Sequence, residues 1–393
     1  MQHKQTAPKA TAEGANSAGL GALKDGNLDE AVRAFTLATE LDPNSVALWS
    51  NLAHAHRLAG NNAEEGVALD RALALNRLDF GSQLRKAQLL QRTGQETEAL
   101  IAWSGVQQLA AQQGLEFPPA VQAEMDAGAA YCRALQDRLE ERASHFLSAG
   151  QKQWDETEQR RISAFVGRAL GKRPVYVNEC AGLHYPFLPA DEFFDRRHFP
   201  WLEELEAHTD VIRSELEAIL RDPGEEIRPY VRMEEGAPQN KWTQLDHSLD
   251  WGACFFWEHG EPNLPVHERC PKTAALLDRL PLLRIPRRGP AAFFSILRPH
   301  SHIPAHTGVT NTRAIVHLPL IVPAGCGFRV GGEVREWVEG TAFAFDDTIE
   351  HEAWNRSDEL RAVLILDAWN PHLSEREREA VSAYIQQSDQ ALS

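Results

Sequence analysis

Three side chains in the last third of the chain have the types and spacing for redox metal chemistry. They are His306, in His306-Thr307-Gly308, then His351 forty-five residues on, then Arg361 ten residues after that. Neutral imidazole is a good iron(II) ligand, and a guanidinium is the natural bidentate partner of a carboxylate in a partly dry pocket. The set suits an enzyme holding iron(II) on the two imidazoles and the far carboxylate of 2-oxoglutarate on the guanidinium. Such sites usually carry one carboxylate besides the histidines. Its usual slot, two residues after the first histidine, holds Gly308, which leaves Asp347 or a water to complete the set. His300 and His302 lie in the polar stretch Arg298–Pro304 and are weaker candidates. Ser295 and His317 sit on nearby strand-like segments, where either could hydrogen-bond a bound dicarboxylate. The plain alternative for Arg361 is a surface arginine paired with Asp358 or Glu359.

The elements that must position these groups read as strands. Short apolar runs at Ala292–Leu297, Ala314–Val322, Gly327–Val330, Thr341–Phe345, Glu350–Trp354 and Ala362–Ala368 are bounded by turn residues such as Gly331-Gly332 and Asp346-Asp347. Many short strands joined by tight turns predict a jelly roll, a cupin-like double-stranded β-helix whose mouth suits a metal or small ligand. A helix around Trp201–Leu220 precedes them.

The first third has a different period. Gly26, Gly60 and Gly94 stand 34 residues apart, as do Gly19, Ala53 and Ala87, then Phe35, Leu69 and Trp103, then Ala38, Ala72 and Val106. Small residues recur where helices must approach, large ones where a groove must be filled, and glycine at the turn. The pattern, closed in its first copy by Leu41-Asp42-Pro43-Asn44, resembles the tetratricopeptide repeat. Glu65 departs from it, standing where the other copies have Ala31 and Ala99. Three repeats need capping, and the apolar-periodic stretches Val121–Leu147 and Glu156–Leu170 are placed to cap them.

The expected organisation is α+β and multidomain. A disordered lead-in (1–17) precedes an all-α repeat solenoid with capping helices (18–170), a Pro-rich connection (171–200) and a double-stranded β-helix domain (201–393). A net charge of −16 argues against a nucleic-acid or anionic-membrane partner. No apolar stretch approaches the length of a membrane span. Five scattered cysteines without a Cys-x-x-Cys pair indicate neither a disulfide framework nor a structural zinc, and fit a reducing cytoplasm.

Longer motifs go further. Ser295-Ile296-Leu297, the run Ile303 to Arg313, His317-Leu318, Glu336 to Gly340, Phe345 to Glu352 and Asp367-Ala368-Trp369-Asn370-Pro371 closely resemble the aspartyl/asparaginyl β-hydroxylase family over roughly residues 175–385. The resemblance implies a 2-oxoglutarate-dependent dioxygenase using iron(II) and O2, with His306 and His351 as the only protein ligands of the metal. It implies Arg361 and Ser295 at the cosubstrate's distal carboxylate and His317 by its other end; Val363 is placed at the same site. Eukaryotic members have a second basic residue two positions after the one matching Arg313, and here that place holds Ile315. Arg313 is then left for an acidic substrate group, with Trp242 and Gln244 as further lining of the substrate pocket.

The expected activity is hydroxylation of a carbon, such as the β-carbon of an Asp/Asn-type residue, in a peptide or protein held by the repeats. The rivals are a hydroxylase of a lipid or small metabolite, a repeat scaffold with a relic metal-binding jelly roll, and a cupin isomerase or metal-binding module.

Overall fold

Each glycine of the 34-residue column stands at a turn in the left-handed region, where a side chain would be strained: φ is 75° at Gly26, 79° at Gly60 and 74° at Gly94. These turns join the helices of three successive pairs in a computed structural model that describes residues 11–114 and 116–392. The pairs are α1 (Ala12–Lys24) with α2 (Leu28–Leu41), α3 (Val46–Ala59) with α4 (Asn62–Leu75), and α5 (Phe80–Arg92) with α6 (Glu96–Gln113). The large residues of the repeat, Phe35, Leu69 and Trp103, are at most 2% exposed. Gly19 is small by necessity, since a Cβ there would lie 2.7 Å from the Phe35 ring. Glu65, fully buried in a column that is otherwise alanine, is paired with Arg92. Two longer helices follow, α7 (Pro119–Gly150) and α8 (Glu156–Ala169). The N-terminal region is therefore a tetratricopeptide-type solenoid. Of the expected lead-in, residues 1–10 lie outside the described residues, and Ala12–Ser17 are already helical in α1.

The chain divides into two compact units, Met1–Val166 and Gly167–Ser393. The second contains α9 (Leu202–Ala207), α10 (Thr209–Arg221), β1 (Arg228–Pro229), β2 (Trp251–Glu258), β3 (Glu261–Pro262), α11 (Leu264–Arg269) and α12 (Pro271–Arg279). Eight strands follow: β4 (Ala292–Leu297), β5 (Ser301–His306), β6 (Arg313–Ile321), β7 (Cys326–Val330), β8 (Glu333–Arg335), β9 (Phe343–Phe345), β10 (His351–Asn355) and β11 (Arg361–Trp369). The last helix is α13 (Glu375–Leu392).

All strand pairs are antiparallel. The larger sheet runs β1-β2-β4-β11-β6-β9, with β3 on β2, and the smaller runs β5-β10-β7-β8. The chain thus steps between two sheets as a jelly roll does. Alternation along β11 fixes the layers: Ala362, Leu364, Leu366 and Ala368 share a core with α9, α10 and α12. Val363 packs on the opposite face with Ile303, Phe328 and Ala353 of the smaller sheet. The period of two therefore puts Arg361, Ile365 and Asp367 on the face toward the smaller sheet.

The connecting segment 171–200 is bound to the strands: Glu179 N–H donates to Thr348 O, Gly182 N–H to Val309 O, and fully buried Phe193 bridges to Phe345. Two expectations need correction. The polar stretch Arg298–Pro304 contains most of β5, because its backbone finds a partner in β10. The expected helix at Trp201–Leu220 is broken at His208 into α9 and α10. Among the described residues no helix is long and apolar enough to cross a membrane.

Candidate active site

The pairing of β5 with β10 places His306 directly opposite His351, with ring centroids 4.0 Å apart. Both rings line a cavity of about 260 Å3 between the sheets. Nδ1 of His306 lies 2.8 Å from Pro304 O, and Nδ1 of His351 lies 3.0 Å from Ile349 O. A carbonyl only accepts, so in both rings Nδ1 carries the proton and Nε2 keeps its lone pair. Burial lowers the imidazole pKa to about 3 for His306 and about 4 for His351. Both rings are neutral near pH 7, fixed in the tautomer and orientation that metal-bound histidines adopt.

Among the described residues no group of three His, Cys, Asp or Glu side chains is arranged to hold a metal. Asp347, the sequence's candidate, directs Oδ2 to Arg313 Nη2 at 2.7 Å. Its carboxylate fills the space beside Gly308, where an added Cβ would lie 2.1 Å from Oδ2. The glycine in the usual carboxylate slot is thus matched by an acid that occupies the slot's volume. Two neutral nitrogen donors fit iron(II) and leave the remaining coordination positions for other ligands.

The same lining also offers a place for an anion. Arg361 is 2% exposed, and no carboxylate among the described residues forms a salt bridge with it. Its Nη1 donates to Ser295 Oγ at 3.5 Å, its Nε has no partner, and its guanidinium lies 5.1 Å from the Trp337 ring centroid. Burial lowers its pKa to about 10, so the group stays cationic at neutral pH. A buried cation without a counter-ion is costly unless a ligand supplies one. Ser295 Oγ accepts from Trp251 Nε1 at 3.1 Å, leaving its own O–H to donate. His317, 6% exposed, lies parallel to Trp337 at 5.5 Å with Nδ1 unpaired. Burial, then Arg361, pushes its pKa well down and keeps the ring neutral.

Arg313 lines the cavity, but it is not left for an acidic substrate. It serves Asp347 at 2.7 Å and Asp367 at 3.4 Å. Burial works to lower its pKa, and the two carboxylates outweigh burial and raise it. Trp242 lines the cavity as expected, edge-on to His306 at 4.9 Å. Gln244 is exposed and outside the lining. Val363 faces the same layer as Arg361 but packs into the apolar cluster between the sheets rather than lining the cavity. His300 and His302 are exposed and engaged with Asp358 and Glu352.

The family profile "Aspartyl/Asparaginyl beta-hydroxylase" matches residues 206–371, which hold His306, His351 and Arg361. Those residues form a domain of the aspartyl/asparaginyl β-hydroxylase type. This hydroxylase domain is 32% identical over 187 residues to the human aspartyl/asparaginyl beta-hydroxylase, covering 47% of this chain and 24% of that protein. It is 34% identical over 196 residues to the ornithine lipid ester-linked acyl 2-hydroxylase of Rhizobium tropici, covering 49% of this chain and 66% of that one. The aspartate beta-hydroxylase domain-containing protein 2 of Xenopus tropicalis is 28% identical over 273 residues, with 65% and 70% covered. The repeat unit is similar to the TPR2B domain of yeast Sti1, at 18% identity and a TM-score of 0.29, over 32% of this chain and 97% of that one.

Several residues of the hydroxylase domain's cavity carried no role from sequence. Asp367 is an acid inside the apolar strand Ala362–Ala368, a signal in itself, since a buried carboxylate needs a partner. Trp337 and Trp251, which back Arg361 and Ser295, look like ordinary core residues until the strands are folded.

Proposed function

We propose that the chain is an iron(II)- and 2-oxoglutarate-dependent dioxygenase that hydroxylates a carbon in a peptide or protein. The observation that carries this reading is the joint lining of one cavity by two neutral, tautomer-fixed imidazoles and a buried guanidinium without a carboxylate partner. His306 and His351 would hold the iron through Nε2. When bound there, iron(II) supplies the redox chemistry that couples O2 and 2-oxoglutarate decarboxylation to insertion of oxygen into a C–H bond. Arg361 and the Ser295 hydroxyl bind the cosubstrate's distal carboxylate, and His317 hydrogen-bonds near its other end. Trp251, Phe293, Phe328 and Phe345 give the cavity apolar walls that exclude water, which strengthens each polar contact within it.

A neutral carboxamide suits the substrate side better than a carboxylate. Arg313 is already shared by two acids, and Ile315 adds an apolar surface beside it. An asparaginyl-type residue is therefore the better candidate, and the helix pairs of the repeat unit supply an extended surface for the rest of the polypeptide. A second reading, hydroxylation of an acyl chain, is favoured by the apolar wall of Tyr230, Trp251, Phe293 and Ile365 and by the similarity to the Rhizobium acyl hydroxylase.

The test is succinate formation from 2-oxoglutarate with iron(II) and ascorbate, run with peptides and with acyl amides. His306→Ala and His351→Ala abolish it and lose the metal; normal turnover in either variant refutes the assignment.

A further inference from the structure

Val309, Arg313 and Asp367 line the active-site cavity on one side and a second cavity, of about 480 Å3, on the other. The apolar lining of the second cavity comes from distant parts of the chain: Leu183, Leu283, Ile285, Val309, and Tyr384 and Ile385 of α13. Its arginines are already paired. Arg288 clasps Asp389, with Nε 2.9 Å from Oδ2, and Arg313 holds Asp367. Its threonine and serine hydroxyls are also engaged: Thr310 and Thr312 bond each other at 3.0 Å, and Ser388 donates to Tyr384 O at 2.9 Å. The α13 wall is fastened at both ends, by the Arg288–Asp389 pair and by Tyr185 O–H donating to Glu377 Oε1 at 3.0 Å.

We propose that the second cavity receives an uncharged, bulky side chain of a polypeptide substrate, one or two residues from the residue presented to His306 and His351. This rests on the dioxygenase reading above and names the substrate feature that the site selects. An occupant spanning both cavities must cross the shared wall, where Arg313 and Asp367 stand. A hydrocarbon chain crossing there would cover the exposed part of Arg313, whose side chain is 22% exposed, and return no hydrogen bond. A peptide unit offers Arg313 a carbonyl. The wall is one layer of side chains, and an extended chain advances about 3.3–3.6 Å per residue, which sets the separation at one or two residues. Beyond the wall the lining is mainly apolar, with His259 and the Tyr384 hydroxyl as its remaining polar groups, so a charged side chain would give up hydration for few polar contacts.

The experiment uses the full chain with iron(II), 2-oxoglutarate and ascorbate, and a synthetic peptide pool with a central Asn or Asp and randomised neighbours. Products that gain one oxygen atom are sequenced by mass spectrometry. Leu, Ile, Met, Phe or Tyr within two positions of the modified residue is expected to be favoured about ten- to a hundredfold over Asp, Glu or Lys. The best peptide and its alanine counterpart are then titrated calorimetrically against metal-free protein, giving a Kd ratio that does not depend on turnover. Ile385→Trp, which fills the cavity from α13, brings that ratio close to one. Leu183→Trp does the same from the facing segment, and melting curves establish that each variant is folded. Products without a neighbour preference, or a preference unchanged in both folded tryptophan variants, overturn the proposal. So does hydroxylation of an acyl amide with no peptide product. Absence of succinate under every condition sinks the dioxygenase reading itself, and the proposal with it.

Discussion

Replacing Gly308 with alanine puts a carbon 2.1 Å from Asp347 Oδ2 and 2.2 Å from its Cγ, where ordinary contact begins at 3.4 Å. The carboxylate must retreat by more than an ångström. It cannot take its backbone with it, because Gly308 N–H donates to Asp347 O at 2.6 Å. The displacement therefore breaks the Arg313–Asp347 pair, whose side chains are 22% and 7% exposed. Uncoupling a buried pair costs about 3–5 kcal/mol. Arg313 keeps Asp367 at 3.4 Å, which places the cost at the lower end, about 3 kcal/mol, or a melting shift on the order of 10 °C for a domain of this size. Thermal unfolding of the full chain, followed by circular dichroism, measures it. Asp347→Ala removes the obstacle, so Gly308→Ala on that background adds little, and the double-mutant cycle isolates the collision. For the same reason Gly308→Asp destabilises the fold without tightening metal binding. A Gly308→Ala protein that melts with the wild type, or a Gly308→Asp protein that binds metal more tightly, would refute the reasoning.

Arg361→Ala removes the buried cation at the cosubstrate end; the Kd for 2-oxoglutarate rises by on the order of a hundredfold, while metal binding, measured by titration, is retained. An unchanged Kd contradicts the assignment. In the metal-free protein, His306 and His351 stay neutral down to about 3 and about 4, whereas the unfolded chain takes up their protons near pH 6.5. The native state then binds fewer protons between roughly pH 4 and 6.5, so stability rises with pH through that window and levels off above it. Asp346, raised to about 7 chiefly by burial, contributes the opposite slope from its ordinary carboxylate range up to about 7. Urea midpoints for the wild type and a His306→Gln/His351→Gln variant separate the two effects, and equal slopes below pH 6.5 in both proteins count against neutral native histidines.

The two histidines, Arg361 and the 34-residue period were legible because they are carried by residue type and spacing alone. β2 was missed because Trp251–Trp257 is buried throughout and so lacks alternation. β5 was hidden by Pro304 and two polar histidines, and only its register with β10 makes it a strand. The engagement of Arg313 rests on partners 34 and 54 residues away, and no local pattern announces such pairs. Gln244 was named from a segment without regular structure between β1 and β2, where sequence cannot say which side chains turn inward. The second cavity needs α13, the 180–185 segment and the 283–288 loop to meet, which is a property of the folded topology.

Because each imidazole is tethered to the carbonyl two residues before it, removing the ion leaves the ligands already aimed. Chelation should therefore yield an intact, empty receptor rather than a collapsed one. A redox-silent divalent ion could then be loaded in place of iron, trapping cosubstrate and polypeptide together for crystallography without turnover.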